Sequence, residues 1–267
     1  MKFTMSLWKD FENQCTNFLN DNFGKYATFI HKGEENSTIS DILVRTNYGK
    51  SFYIEAKHSP AQSGQFVLRP NHKKHIFEYS NKNSNNINTY SEKIIEKINN
   101  NFNLFINTGT KGEEINLKSK IFSNWIIEYY KSKNTKFFIT NSFIILPIEN
   151  LELFFDIKAI FRIKRSGSTH AAKKDIDNII NYLQTHNYNI YDCQYTDHKL
   201  LVKSKDNLTN QKFIIDNTEY MFSSKEAYYE VRRLSNTFNA NVIFSIKLKK
   251  NVHSITPNQF INLLKNL

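Results

Sequence analysis

Two carboxylates and a lysine are spaced so that one divalent cation and one phosphate could share them. Asp41 precedes the run Ile42-Leu-Val-Arg-Thr46, and Glu55 and Lys57 lie late in Ser51-Phe-Tyr-Ile-Glu-Ala-Lys57. Hard divalent cations take oxygen ligands, and Mg2+ commonly accepts one or two carboxylates while keeping several waters. Asp41, Glu55 and the carbonyl of Ala56 make a set of that kind. Lys57 could orient or help deprotonate an attacking water and offset charge developing on a phosphate. An acidic cage beside an ammonium is the chemistry that phosphodiester hydrolysis needs; a solvated, charged strand face is the plain alternative.

The surrounding elements must bring these groups together. Ile42 and Val44 alternate with Asp41 and Leu43, while Phe52, Ile54 and Ala56 alternate with Tyr53, Glu55 and Lys57. This period of two marks half-buried strands and puts Glu55 and Lys57 on one face. Asn47-Tyr-Gly-Lys50 supplies the turn, with Gly49 free to take a positive φ. Thirteen residues separate Asp41 from Glu55, and in an antiparallel pair these two ends lie close. Upstream, Trp8, Phe11, Cys15, Phe18 and Leu19 recur at helical spacing before a stop at Asn20–Gly24, predicting an amphipathic helix over 5–22. Glu12 borders that stripe and reads as an exposed helix glutamate before it reads as an accessory acid. A strand is expected over Tyr26–Ile30 and a loop over 32–37. Pro60 and Gly64 forbid a central strand after Lys57. The expected loop His58–Gln65 carries Gln62, Ser63 and Gln65, donors and acceptors for a phosphate, a bound water or the lysine, or else ordinary turn residues.

Asp41 followed by Glu55-Ala-Lys57 resembles the signature of the PD-(D/E)XK nuclease superfamily. Ala61-Gln-Ser-Gly-Gln-Phe-Val-Leu68 is similar to a continuation found in some type II restriction endonucleases. The likeness spans residues 1–70, and Ser40 stands where the family name has proline. It implies an α/β fold with a restriction-endonuclease-like mixed β-sheet core flanked by helices and an α+β C-terminal half. It further implies a catalytic set of Asp41, Glu55, Lys57 and Gln65, with Asp41, Glu55 and Ala56 on Mg2+ and with Glu12 and Gln62 as accessory residues. The implied activity is Mg2+-dependent, sequence-specific hydrolysis of double-stranded DNA by a homodimer, since two-fold symmetric proteins match palindromic sites.

Composition sets the outer bounds. A chain of 267 residues can bury the core of one large domain or two closely packed ones. Its formal charge of +11 favours a polyanionic partner, although a Lys- and Asn-rich composition accounts for part of the excess. Cys15 and Cys193 stand far apart, without Cys-x-x-Cys or zinc-type spacing, so neither a disulfide scaffold nor structural zinc is implied, and a reducing compartment is expected. The start lacks the apolar core of a signal peptide, and no run nears the ~20 apolar residues a membrane span needs. The expectation is therefore a soluble, cytoplasmic protein with no membrane partner. A Ser or Cys hydrolase finds no support, for want of a Gly-x-Ser-x-Gly elbow.

Residues 69–90 are polar and of low complexity and read as a mobile insertion. Arg69, His72, Lys73, Lys74 and His75 at its start could clamp DNA. Helices are predicted over 91–102 and 121–131, and strands over 136–140 and 142–146. Lys158–Lys174 then holds six Lys/Arg and no acid. Arg162 and Lys164 alternate with Phe161 and Ile163, and Ser166-Gly-Ser168 can bring N–H groups close to phosphate or base edges. Arg162, Lys164, Arg165, Ser166, Ser168, His170 and Lys173 are the expected DNA contacts; a basic edge strand guarded against aggregation is the alternative. Further on, helices are predicted over 174–186 and 226–234, strands over 199–203, 212–215, 220–222 and 242–248, and a final helix over 257–264. That last helix has Thr256 as N-cap, Pro257 at its first position and Gln259 at the capping-box place. The division expected is a catalytic core over 1–156, with the polar insertion, and a basic α+β part over 157–267 that recognises DNA, across a soft boundary. A structure-selective nuclease of DNA repair or recombination and a non-catalytic DNA-binding module are the competing readings.

Overall fold

A computed structural model describes residues 7–33, 39–81, 83 and 87–266. The helix start expected at residues 5 and 6, the side chain of Trp8, residues 34–38 before Asp41 and residues 82 and 84–86 of the polar run lie outside them. The chain begins with helix α1 (Leu7–Phe23) and strands β1 (Ala27–His31), β2 (Ile42–Thr46), β3 (Ser51–Lys57), β4 (Ala61–Asn71) and β5 (Ile76–Tyr79). Helices α2 (Thr89–Asn99) and α3 (Phe102–Ile106), strand β6 (Glu113–Glu114), helix α4 (Ser119–Ser132) and strands β7 (Thr135–Thr140) and β8 (Ile144–Pro147) follow. Next come α5 (Leu151–Phe154), β9 (Phe155–Arg165), β10 (Ser168–His170), α6 (Ile176–Thr185), β11 (Ile190–Thr196) and β12 (Lys199–Ser204). The chain ends with β13 (Lys212–Ile215), β14 (Thr218–Ser224), β15 (Tyr229–Leu234), β16 (Phe238–Leu248) and α7 (Pro257–Asn266).

These elements form two compact units, residues 1–162 with 240–267, and residues 163–239. The first contains a mixed sheet of order β1-β2-β3-β7-β8, in which β3 and β7 run parallel and the other pairs antiparallel. The hairpin between β2 and β3 closes through Gly49 at φ +80. A parallel neighbour requires a long crossover, here the stretch that contains α2 to α4. Phe11, Cys15, Leu19 and Phe23 recur every fourth residue along α1 and bury one stripe of it against Phe29, Ile42, Val44, Ile54 and Ile139, with Phe260 and Leu264 of α7. Each such side chain contributes about 1.5–3 kcal/mol on burial. The α7 cap is the expected one: the Gln259 N–H donates to Thr256 Oγ1 at 3.2 Å, and the Thr256 N–H to Gln259 Oε1 at 2.8 Å. On the sheet's other face α4 sets the Tyr130 ring edge-on to Phe138, at 4.9 Å.

The same unit holds a second sheet, β5-β4-β16-β9-β6, packed around Phe66, Trp125 and Phe244; the last two rings stack at 4.1 Å. Two expectations are corrected here. The segment after Pro60 is a strand, because the pairing of β4 with β16 is irregular between Ile243 and Ser245 and this bulge accommodates Gly64 at φ +95. The polar stretch from 69 is also packed in part: β5 folds back on β4 with Phe77 buried, and Asn88 caps α2 through the N–H groups of Tyr90 and Ser91.

The second unit is an antiparallel sheet, β11-β12-β15-β14-β13, with β10 also paired to β15. Ile176, Ile179 and Leu183 of α6 bury against Leu200, Val202, Phe213, Phe222 and Val231. The helix expected over 226–234 is in fact the central strand β15. Glu, Ala, Arg and Leu favour helix locally, but Val231 lies between Leu200 and Phe222 in a ladder with partners on both edges, and that tertiary pairing overrides propensity. The contacts divide the chain at 163 and 239 rather than at 157. Strands β9 and β16 are continuous members of the first unit's sheet, and α7 covers the first unit's core.

Candidate active site

The hairpin register pairs Ile42 with Ile54, so the next step outward sets Asp41 opposite Glu55. The Ala56 N–H donates to Asp41 Oδ2 at 2.9 Å and fixes that carboxylate at the end of β3. Glu55 is buried. Its Oε1 lies 2.6 Å from Lys57 Nζ and accepts from the Tyr130 hydroxyl at 3.1 Å. Its Oε2 is buried with no hydrogen-bond partner among the described residues. Ser40, its Oγ 2.7 Å from Thr135 Oγ1, lies beside Glu55.

The electrostatics follow from this geometry. Burial, and then the Glu55 charge, push the Asp41 carboxyl well above the ordinary carboxylate range, against the pull of Lys57 and the Ala56 N–H. Burial also disfavours ionised Glu55, but Lys57 outweighs it and holds Glu55 below its usual value. Burial disfavours charged Lys57 in turn, yet the Glu55 carboxylate beside it keeps it well above its usual value, so the ammonium persists. Tyr130 stays protonated, pushed up by burial and by Glu55.

Two close carboxylates, a half-buried Asp41 whose ionisation is penalised and a buried Glu55 with an orphaned oxygen, together lack positive charge. A hard divalent ion with oxygen ligands fits that deficit, with Asp41, Glu55 and the Ala56 carbonyl as donors. No group of three or more His, Cys, Asp or Glu able to hold a metal occurs among the described residues.

Glu12 is buried rather than exposed. His31 Nε2 sits 2.8 Å from its Oε2, and its charge reaches Asp41. A Cβ on Gly33 would stand 2.3 Å from that same oxygen, so the glycine makes room for the carboxylate. Gln62 and Gln65 are exposed on β4 and bonded to each other, Gln62 Nε2 donating to Gln65 Oε1 at 3.3 Å. Ser63, between them in sequence, is the residue turned inward, fully buried beside the Tyr130 phenol.

The basic stretch is distributed more widely. Arg162 Nε is buried without a hydrogen-bond partner among the described residues, while Lys164 and Lys173 are exposed. Arg165 is ion-paired to Glu219 and lies over the Phe238 ring at 5.4 Å. Ser166 Oγ bonds the hydroxyls of Ser235, at 2.8 Å, and Thr237. Ser168 accepts from Arg232 through both Oγ and its carbonyl, each at 2.8 Å. His170 Nδ1 is 2.7 Å from Glu230 Oε1. Glu230 itself, 1% exposed, also takes Arg232 at 2.6 Å and Lys225 at 3.3 Å. Burial opposes its charge, but His170, Arg232 and Lys225 hold its carboxyl below the usual range. Sequence reasoning missed Tyr130, Glu230 and the role of Arg232. Arg232 falls in the stretch 226–234 expected to be helical, and its neighbours across β15 follow only from the strand pairing.

No family model matches the sequence, and the comparison with curated proteins finds no match. Among solved structures the chain is similar to that of the HhaI endonuclease in complex with DNA. The two are 40% identical over 97% of this chain and 99% of that one, with a TM-score of 0.81.

Proposed function

The chain belongs to the restriction-endonuclease family of the HhaI endonuclease, and from that premise we propose that it is a type II, PD-(D/E)XK site-specific deoxyribonuclease that cuts both strands of duplex DNA with Mg2+. The observation that carries this reading is the grouping of buried Glu55 with half-buried Asp41 and Lys57 at adjoining strand ends. Asp41, Glu55 and the Ala56 carbonyl would hold Mg2+, which when bound supplies Lewis-acid polarisation of the scissile phosphate and a more acidic water. The Ala56 N–H orients Asp41. Lys57 steers the attacking water and offsets charge gathering on the phosphate oxygens. Gln65 is assigned to the catalytic set, with Gln62, bonded to it, and Glu12, beside Asp41, as accessory residues.

Recognition is assigned to the C-terminal part, beginning with Arg162, Lys164, Arg165, Ser166, Ser168, His170 and Lys173. Arginine can read guanine bidentately, and exposed lysines contact phosphate. The reading includes a cytoplasmic homodimer in which each subunit cuts one strand of a palindromic site. The test is incubation with plasmid and phage DNA, with and without Mg2+, followed by sequencing of the ends. Mg2+-dependent fragments sharing one terminal sequence are expected. Nicking confined to branched substrates would favour a repair or recombination nuclease, and binding without cleavage a DNA-binding module.

A further inference from the structure

Tyr130 has no part in the reading above, yet its hydroxyl is buried against the central carboxylate of the site. Helix α4 sets it there by its own packing. The Trp125 indole N–H donates to Ser91 Oγ at 2.9 Å, Trp125 stacks on Phe244, and the Tyr130 ring is held edge-on by Phe138 at 4.9 Å and Tyr129 at 5.0 Å. A phenylalanine would fill the same space. A buried hydroxyl is costly without a hydrogen bond, and this one is spent on Glu55 Oε1, at 3.1 Å. Lys57 engages the same oxygen at 2.6 Å. Both donors therefore act on one side of the carboxylate; the Ser40 hydroxyl also favours its charge, and the opposite oxygen, Oε2, has no hydrogen-bond partner within bonding distance among the described residues.

We propose that Tyr130 is a positioning residue for Glu55: by holding Oε1 together with Lys57, it fixes the carboxylate so that Oε2 is presented as the cation-binding atom. The proposal rests on the reading of Asp41 and Glu55 as ligands of Mg2+. Partners that orient a ligand in this way commonly change metal affinity by about 10–100-fold when removed. Tyr130 acts through Glu55 and touches neither substrate nor metal, so its removal weakens Mg2+ binding more than it lowers the rate at saturating Mg2+.

The experiment compares the full chain with Tyr130→Phe, Tyr129→Phe and Glu55→Gln. Mg2+ binding is followed by calorimetry and by the Mg2+-dependent rise in melting temperature, and DNA cleavage is measured across Mg2+ concentrations. Tyr130→Phe is expected to keep the melting temperature measured without Mg2+ and to bind Mg2+ about 10–100-fold more weakly by both binding measurements. Its cleavage should recover towards the parent rate as Mg2+ is raised. Tyr129→Phe, on the same helix, should match the parent. Unchanged Mg2+ affinity in Tyr130→Phe, with affinity lost in Glu55→Gln, would overturn the role of Tyr130 alone. Undiminished Mg2+ affinity in Glu55→Gln would overturn the metal reading, and the role of Tyr130 with it.

Discussion

The Lys57 ammonium lies 2.6 Å from Oε1 of Glu55, both side chains nearly closed off from solvent, so the cation and the carboxylate are each other's main electrostatic partner. Two residues apart on β3, they share a face because a strand repeats every second residue. The pair places a positive charge beside the two carboxylates from which catalysis is proposed to start.

Lys57→Ala removes that charge. Cleavage should fall by at least about 100-fold, in line with the loss of one donor to a transition-state oxyanion. DNA binding measured without Mg2+ should stay close to that of the parent. Breaking a buried pair also destabilises, by about 3–5 kcal/mol, so melting must be recorded to show that the variant is folded at the assay temperature. Retained cleavage by a folded variant would remove Lys57 from the mechanism.

Asp41→Asn should separate stability from activity. Burial and the Glu55 charge penalise ionised Asp41, whereas an amide oxygen can still accept from the Ala56 N–H. The variant is therefore expected to melt higher than the parent in EDTA, by a few degrees if the relief is about 1 kcal/mol, and to lose both Mg2+ binding and cleavage. A lower melting temperature in EDTA would contradict the electrostatic account.

That Asp41, Glu55 and Lys57 come together was legible in the sequence because the geometry is local. A period-two pattern, one glycine turn and a thirteen-residue gap suffice to set Asp41 opposite Glu55. Tyr130 was not legible, since it is 75 residues from Glu55 and reaches it only once α4 has packed on β7. Glu12 was misjudged for a similar reason: its burial depends on His31 and on the space left by Gly33. The error at β15 has another origin. Its residues favour helix when taken alone, and only the strands beside it decide otherwise.

Gly64→Ala tests the bulge that turns Ser63 inward. At φ +95 any side chain is strained, and a Cβ there would lie 2.7 Å from the Trp125 ring. Strain of this kind costs about 1–3 kcal/mol, and a displaced Trp125 would shift α4 and Tyr130 with it. Urea unfolding should show that loss, with weakened Mg2+ binding alongside. A variant as stable as the parent would mean that the segment adopts another backbone.

Lys164→Ala addresses how DNA is gripped. Residues 163–239 carry eleven Lys/Arg against nine Asp/Glu, so most of the net positive charge belongs to the other unit, and the salt dependence of binding should arise mainly there. Lys164 is exposed, whereas Arg165 is tied to Glu219. Loss of Lys164 should weaken binding to all sequences alike and reduce the salt slope by about 0.9, the value for one phosphate contact. A change in sequence preference would instead make Lys164 a base reader.

Glu230 predicts a pH signature for residues 163–239. Burial opposes its charge, but His170, Arg232 and Lys225 prevail, so its folded pKa lies below the unfolded one. Between the two values the unfolded chain binds more protons, and stability rises with pH there. The contribution of Glu230 is thus fully present above the unfolded value, about 4.3, and is lost as pH falls through the folded value. Glu230→Gln should be destabilised at pH 7, by about 3–5 kcal/mol where a buried charge cluster loses its anion. The gap between parent and variant should narrow as the pH is lowered below 4, with all other titrating groups common to both. Melting curves that stay parallel from pH 7 to pH 3 would show that the four side chains are neighbours without mutual electrostatic stabilisation.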